Sequence, residues 1–258
     1  MNKKLSGAKT VLVPIDRYGK NYIPFVEDLK DRKIKYIDIV YTKNLPNTDK
    51  EGISLFGSYI TLADKTGNAY VVNNMPCMRF MYQYTCGIRQ EVNSVLSLQN
   101  SYITYNADSD GADPKLGGYA LLVFWYDLPE FSSRNKTDIV TVDYLTIPIT
   151  TVKGNILSKE ERFTGKRFRY IWNNDGSVTP DYTKIVDPDN LFITLQKGSY
   201  KVLEDVPLIL FNQIRMWDKM EFANIVFDMQ NSYITVGGAG SVAVPEGSVY
   251  LNVAYERA

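Results

Sequence analysis

The chain has 258 residues with 29 basic and 29 acidic side chains, so it carries no formal net charge and no global field to draw in nucleic acid or an anionic membrane. It contains no histidine, which excludes Ser-His-Asp and Cys-His nucleophile systems, histidine proton shuttles and the commonest transition-metal ligand. No segment approaches the length of apolar sequence a spanning helix needs, and the N-terminus shows no cleavage signature, so we expect a soluble protein without a membrane span or an export signal.

From the N-terminus, short runs rich in Val, Ile, Tyr, Phe and Thr are broken at regular intervals by Gly, Pro, Asn and Asp. They are "TVLVPI" (10–15), "NYIPFV" (21–26), "KIKYIDIVYT" (33–42), "GSYITLAD" (57–64), "AYVVNN" (69–74), "MRFMYQY" (78–84), "NSVLSLQNSYITY" (93–105) and "YALLVFWYD" (119–127). That rhythm predicts strands of an antiparallel sandwich, the jelly roll included. "KTGN" (65–68), "NNDGS" (173–177), "KGS" (197–199) and "PEGS" (245–248) supply turn residues. Helix is expected only in two short connectors, "FVEDLKDRK" (25–33) and "LSKEERF" (157–163).

The hexamer "QNSYIT" occurs at Gln99–Thr104 and again at Gln230–Thr235, an offset of 131. The same offset places Pro76 on Pro207, Phe80 on Phe211, Asn93 on Asn224, Val95 on Val226 and Tyr119 on Tyr250. Upstream the offset grows to 133 for "ITL" (60–62 and 193–195), then to 134 for "VPI" with "IPI", Asn21 with Asn155, and "RKIKYI" with "KRFRYI". Offsets that drift in one direction are what a duplication with small loop deletions leaves. The expected fold is all-β: two tandem β-sandwich, jelly-roll-like domains from an internal duplication, with little helix. The first spans 1–130, a linker 131–138, and the second 139–258. Ile103 and Ile234 should point inward, with Tyr102 and Thr104 on the other side, and Gln-Asn-Ser should lead into the strand and hydrogen-bond nearby backbone.

Candidate sites each meet a structural alternative. Cys77 and Cys86 align with apolar Leu208 and Trp217, which favours buried thiols over a disulfide. "GKRFRYIW" (165–172) has the look of a basic-aromatic strip for nucleic acid, but it and "DRKIKYID" (31–38) alternate as half-buried strands do. "DSDGAD" (108–113) resembles part of a calcium loop yet lacks the distal bidentate Glu, and reads as a solvated turn. Glu27 and Glu161 are the repeat-related pair one would ask about for glycoside hydrolysis, and both sit in charged connectors. Trp125, Trp172, Trp217 and the tyrosines could line a sugar platform, or serve strands and interfaces. Asn135-Lys136-Thr137 is a sequon without a secretion signal. No catalytic, cofactor or metal residues are expected, and no enzymatic activity.

The succession "VLVPI…YIDI…QNSYIT…YALLV" and "LTIPI…RYIW…QNSYIT…YLNVAY" resembles the tandem jelly rolls of the smallest double jelly-roll capsid proteins of tailless bacteriophages. "YGKNYIPFVEDLKDRKIKYIDIVYT" is similar in style to virion proteins of phages of gut Bacteroidetes, including auxiliary capsid and neck-ring components. The resemblance implies a virion protein made in the host cytoplasm that self-associates, as a trimer acting as a pseudo-hexamer or as a head–tail ring. Its partners would be other virion proteins, with no sequence-specific nucleic-acid contact. The competing expectation is a two-domain carbohydrate-binding or adhesion module.

Overall fold

The computed structural model describes residues 7–81, 90–106, 116–126, 140–157, 163–173, 188–211, 220–238 and 243–256, and over these the chain is all-β. The complete helical pieces among them are 3-10 turns of three or four residues. The first expected connector helix is therefore only the turn Glu27–Leu29. Leu29 alone of its residues is buried, so there is no apolar stripe to hold a longer helix, and Asp31 turns the chain with a left-handed φ of 61°. Most of the second connector, 158–162, lies outside the described residues.

The chain divides into two compact units, Lys9–Leu45 with Lys50–Asp127, and Leu128–Ala258 with Pro46–Asp49 and the first eight residues. In the first, β1 (Gly7–Ile15), β2 (Gly19–Tyr22), β3 (Lys33–Val40), β4 (Tyr59–Asp64), β5 (Tyr70–Pro76), β6 (Glu91–Tyr105) and β7 (Gly118–Tyr126) follow in order. The long β6 belongs to two strand groups. Its first part pairs with β3 from Lys33↔Val95, and its last part lies between β2 and β4 through Asn21↔Ile103 and Ile60↔Ile103. The groups run β6-β3-β7-β1 and β2-β6-β4-β5.

The second unit contains β8 (Val140–Ile149), β9 (Asn155–Ile156), β10 (Phe168–Asn173), β11 (Leu191–Lys197), β12 (Tyr200–Pro207), β13 (Met220–Ile225), β14 (Tyr233–Val236) and β15 (Gly247–Glu256). Its groups run β13-β10-β15-β8 and β9-β14-β11-β12. Matching pairs recur at equivalent positions. Asn21↔Ile103 answers to Asn155↔Ile234, Ile60↔Ile103 to Ile193↔Ile234, and Tyr59↔Pro76 to Phe192↔Pro207. For the last strand the pairing corrects the alignment of Tyr119 with Tyr250. Ile37↔Phe124 answers to Ile171↔Val253, an offset of 129 that brings Gly118 onto Gly247.

The hexamer is buried as its strand period demands: Ile103 and Ile234 are inaccessible, and Tyr102, Thr104 and Tyr233 are half-buried. Thr235, unlike its counterpart Thr104, is buried. Gln99-Asn100-Ser101 does not lead into a strand but lies inside β6, whereas Asn231 and Ser232 do precede β14. The difference starts at the equivalent positions Ser97 and Asp228. Asp228 Oδ1 accepts the backbone N–H of Gln230 and of Asn231 at 3.2 and 3.3 Å, an Asx-type turn that interrupts the strand.

Half-buried alternation also fails in β3 and β10. Both slip register at the same place, between Ile34 and Tyr36 and between Phe168 and Tyr170. A bulge of this kind shifts every later side chain to the opposite face. From Tyr36 to Val40 every residue of β3 is buried, Asp38 included, and β7 is buried from Ala120 to Tyr126.

Candidate interaction surface

Three polar clamps hold the β2-β6-β4-β5 group and its counterpart β9-β14-β11-β12. Asn21 Oδ1 accepts the N–H of Asp16 at 3.1 Å, while its Nδ2 donates to the Arg17 carbonyl at 2.8 Å. Asn155 does the same for Thr150 at 2.8 Å and Thr151 at 2.7 Å. Ser101 Oγ accepts from Ala63 N–H at 3.0 Å and donates to the Ser97 carbonyl at 2.8 Å; Ser232 Oγ accepts from Gln196 N–H at 3.0 Å and donates to the Asp228 carbonyl at 2.7 Å. Thr61 Oγ1 accepts the N–H of Asn74, and Thr194 Oγ1 that of Asp205, each at 3.1 Å. Asn74 and Asp205 both hold left-handed φ, 47° and 50°, which short polar side chains tolerate. The serine of "QNSYIT" thus satisfies buried backbone, and the hexamer works as a structural element.

On the outer side of β2-β6-β4-β5 the pairing gathers a cluster of tyrosines. Tyr22 pairs with Tyr102, and Tyr102 with Thr61, so three strands bring their side chains together. Tyr22 and Tyr102 meet edge to face with centroids 5.8 Å apart, and Lys20 Nζ lies 4.4 Å from the Tyr102 ring centre. The Thr61 hydroxyl first, then Lys20 and Tyr70, hold the Tyr102 phenol below its ordinary pKa. Tyr22 and Tyr70 are about half exposed, 50 % and 52 %. Apart from this cluster, Tyr18 stacks parallel, at 6.1 Å, on Tyr105, which is buried like Ile103 two residues before it. The surface offers aromatic faces, hydroxyls and one ammonium, the chemistry that sugar rings and protein partners use.

The counterpart surface has diverged. Ile156 stands for Tyr22 and Lys201 for Tyr70, and Lys201 is paired with Glu204 at 2.6 Å. Asp205 beside them accepts a hydrogen bond from Asn47 Nδ2 at 3.0 Å. Burial, then the neighbouring Glu204, raises the Asp205 carboxyl above its usual value, against the opposing Lys201.

A separate open cleft of about 380 Å³ in the first unit is floored by Leu29, Val95, Leu96 and Leu98 beside exposed Phe25. Lys65 closes one rim with an ion pair to Asp31 at 2.6 Å.

The residues nominated from sequence are not drawn into one site. Trp125 and Trp172 are core side chains, and Trp125 Nε1 donates to Asp38 Oδ2 at 2.6 Å, so neither forms a sugar platform. Arg169 of the basic-aromatic strip is buried, and Lys166 lies 6.0 Å from the Tyr255 ring centre. Cys77 is buried with a free thiol, and burial pushes that thiol well above its ordinary pKa. Glu27 is exposed and 3.8 Å from Lys30. Cys86, "DSDGAD" (108–113), the linker 131–138, Asn135–Thr137, Glu161 and Trp217 lie outside the described residues. Among the described residues no group of three His, Cys, Asp or Glu side chains could hold a metal ion, and no helix is long and apolar enough to cross a membrane.

Comparison with protein-family models, curated proteins and solved structures finds nothing that matches this chain.

Proposed function

We propose that the chain is a structural component of a bacteriophage virion, a tandem pair of jelly-roll domains that self-assembles into pseudo-symmetric oligomers. A capsid-shell protein is the leading placement and a head–tail neck ring the second. The observation that carries the reading is the recurrence of the same three polar clamps in the two halves, on strands of matching order. Counting β6 as two strands, each half offers, among the described residues, eight strands in two groups of four with its first strand beside its last, an order that fits a jelly roll. A chain that carries two such modules acts as a covalent dimer, so three chains supply six similar units, and rings close through heterologous contacts. Divergence between the Tyr22–Tyr102 surface and its Ile156–Tyr233 counterpart suits neighbours that touch through different edges.

Size-exclusion chromatography with light scattering, followed by negative-stain imaging, tests this. Trimers, hexamers or rings are expected, and a monomer at every concentration overturns it. No turnover is expected on polysaccharide or phosphoester substrates.

The tyrosine cluster supports a second reading, a carbohydrate-binding or adhesion module. That reading calls for a stable monomer that binds glycans and loses them in Tyr22→Ala and Tyr70→Ala.

A further inference from the structure

We propose that the open edge of β5 is an assembly interface whose occupant is a strand edge of a second copy of this chain; the inference rests on the assembly reading above and names its contact surface.

An edge strand presents a row of unpaired N–H and C=O groups, and monomeric proteins guard such edges with charge, lysine above all. Among the described residues β5 pairs with β4 on one side and with no strand on the other. Tyr70–Pro76 contains no charged residue, and Tyr70 and Val71 are 52 % and 37 % exposed. The guards it does have, left-handed Asn74 and Pro76, sit at its C-terminal end, which leaves Tyr70–Asn73 as the stretch able to pair.

The chain itself shows the covered form of this strand. Each residue of Tyr70–Pro76 has its counterpart 131 positions on in β12, and the register to the neighbouring strand agrees, Ile60↔Met75 with Ile193↔Val206. Val71 is exposed, whereas its counterpart Val202 is wholly buried; Pro76 is exposed, whereas Pro207 is buried. Asn74 is exposed, whereas Asp205 in the same left-handed conformation is capped by Asn47, from the segment Pro46–Asp49 that belongs to the same compact unit. β12 is thus the covered form of this strand, with Asn47 of the chain's own segment Pro46–Asp49 on its Asp205. A second copy brings another set of the same surfaces, and zero net charge puts no long-range repulsion between copies. Contact of this edge with a different surface of the next copy is heterologous, the kind that propagates into a ring.

The test uses the full chain and the variant Val71→Lys/Asn73→Lys, with light scattering, thermal melting and amide hydrogen exchange over residues 70–76. We expect an oligomeric wild type, a monomeric variant with unchanged melting, and 70–76 amides protected at high protein concentration but released on dilution. An oligomeric wild type whose 70–76 amides exchange freely at every concentration overturns the edge proposal and leaves the assembly reading standing. A wild type that stays monomeric overturns both. Should the variant fail to fold, the exchange of the wild type alone decides.

Discussion

Asn47 Nδ2 donates to Asp205 Oδ2 at 3.0 Å, and both residues hold left-handed backbone, with φ of 59° and 50°. The carboxyl in this contact is raised by burial and by Glu204, so the folded state keeps its proton to higher pH than the unfolded chain does. The stability linked to that proton is complete below the ordinary carboxylate pKa and is lost as pH rises through the raised folded value. Asp205→Asn removes the charge while keeping a side chain that tolerates the conformation, as Asn74 does in the first unit. We expect the variant to melt above wild type at neutral pH, with the gap closing toward about pH 4. Thermal melts across that range measure it, and a gap independent of pH would remove burial of the charge as its cause.

Ser101 and Ser232 each join a backbone N–H to a backbone carbonyl inside the fold. Replacing either with alanine leaves both groups without that partner, at a cost of about 1–3 kcal/mol. Because the geometry is the same at both sites, the two losses should be similar. Urea denaturation of Ser101→Ala and Ser232→Ala measures them, and a loss at only one site would mean the clamps are not equivalent.

The all-β character was legible because short β-branched and aromatic runs alternate with residues that turns require; Gly67 and Gly198 do take φ of 74° and 59° in "KTGN" and "KGS". Inward Ile103 and Ile234 follow from the same period. What escaped depends on partners distant in sequence. The identical letters "QNSYIT" lie inside one continuous strand and run from a turn into a strand in the other unit, because Ser97 or Asp228 stands two residues before them. Asp38 is inside because Tyr36–Val40 is buried on both faces, and buried Arg169 stands at the bulge of β10; neither is visible in composition. The tyrosine cluster draws Lys20 and Tyr22, Thr61, Tyr70 and Tyr102 from four strands, so only pairing could assemble it.

Trp125→Phe keeps an aromatic ring in the core but removes the Nε1–H bond to Asp38 at 2.6 Å. Both partners are buried, and breaking a buried hydrogen bond by removing one partner costs about 1–3 kcal/mol. We expect a loss of that order in chemical denaturation with the native circular dichroism spectrum retained. A loss below about 0.5 kcal/mol would show that this bond adds little to stability.

The facing of β6 can be tested one residue at a time. Ile103 is inaccessible between Asn21 and Ile60, and Tyr102 beside it is half-buried with Lys20 over its ring. A carboxylate forced into the Ile103 site has no partner supplied for it, and the cost of burying it is comparable with the ~5–15 kcal/mol that holds a whole domain together. Ile103→Asp should therefore abolish soluble folding, and Ile234→Asp should do so for the second unit. Tyr102→Asp, directed at Lys20 and solvent, should fold with only a modest fall in melting temperature. Soluble yield and melting of the three variants give the answer; folded Ile103→Asp and Ile234→Asp with unchanged melting would mean that these strands turn their other face to the core.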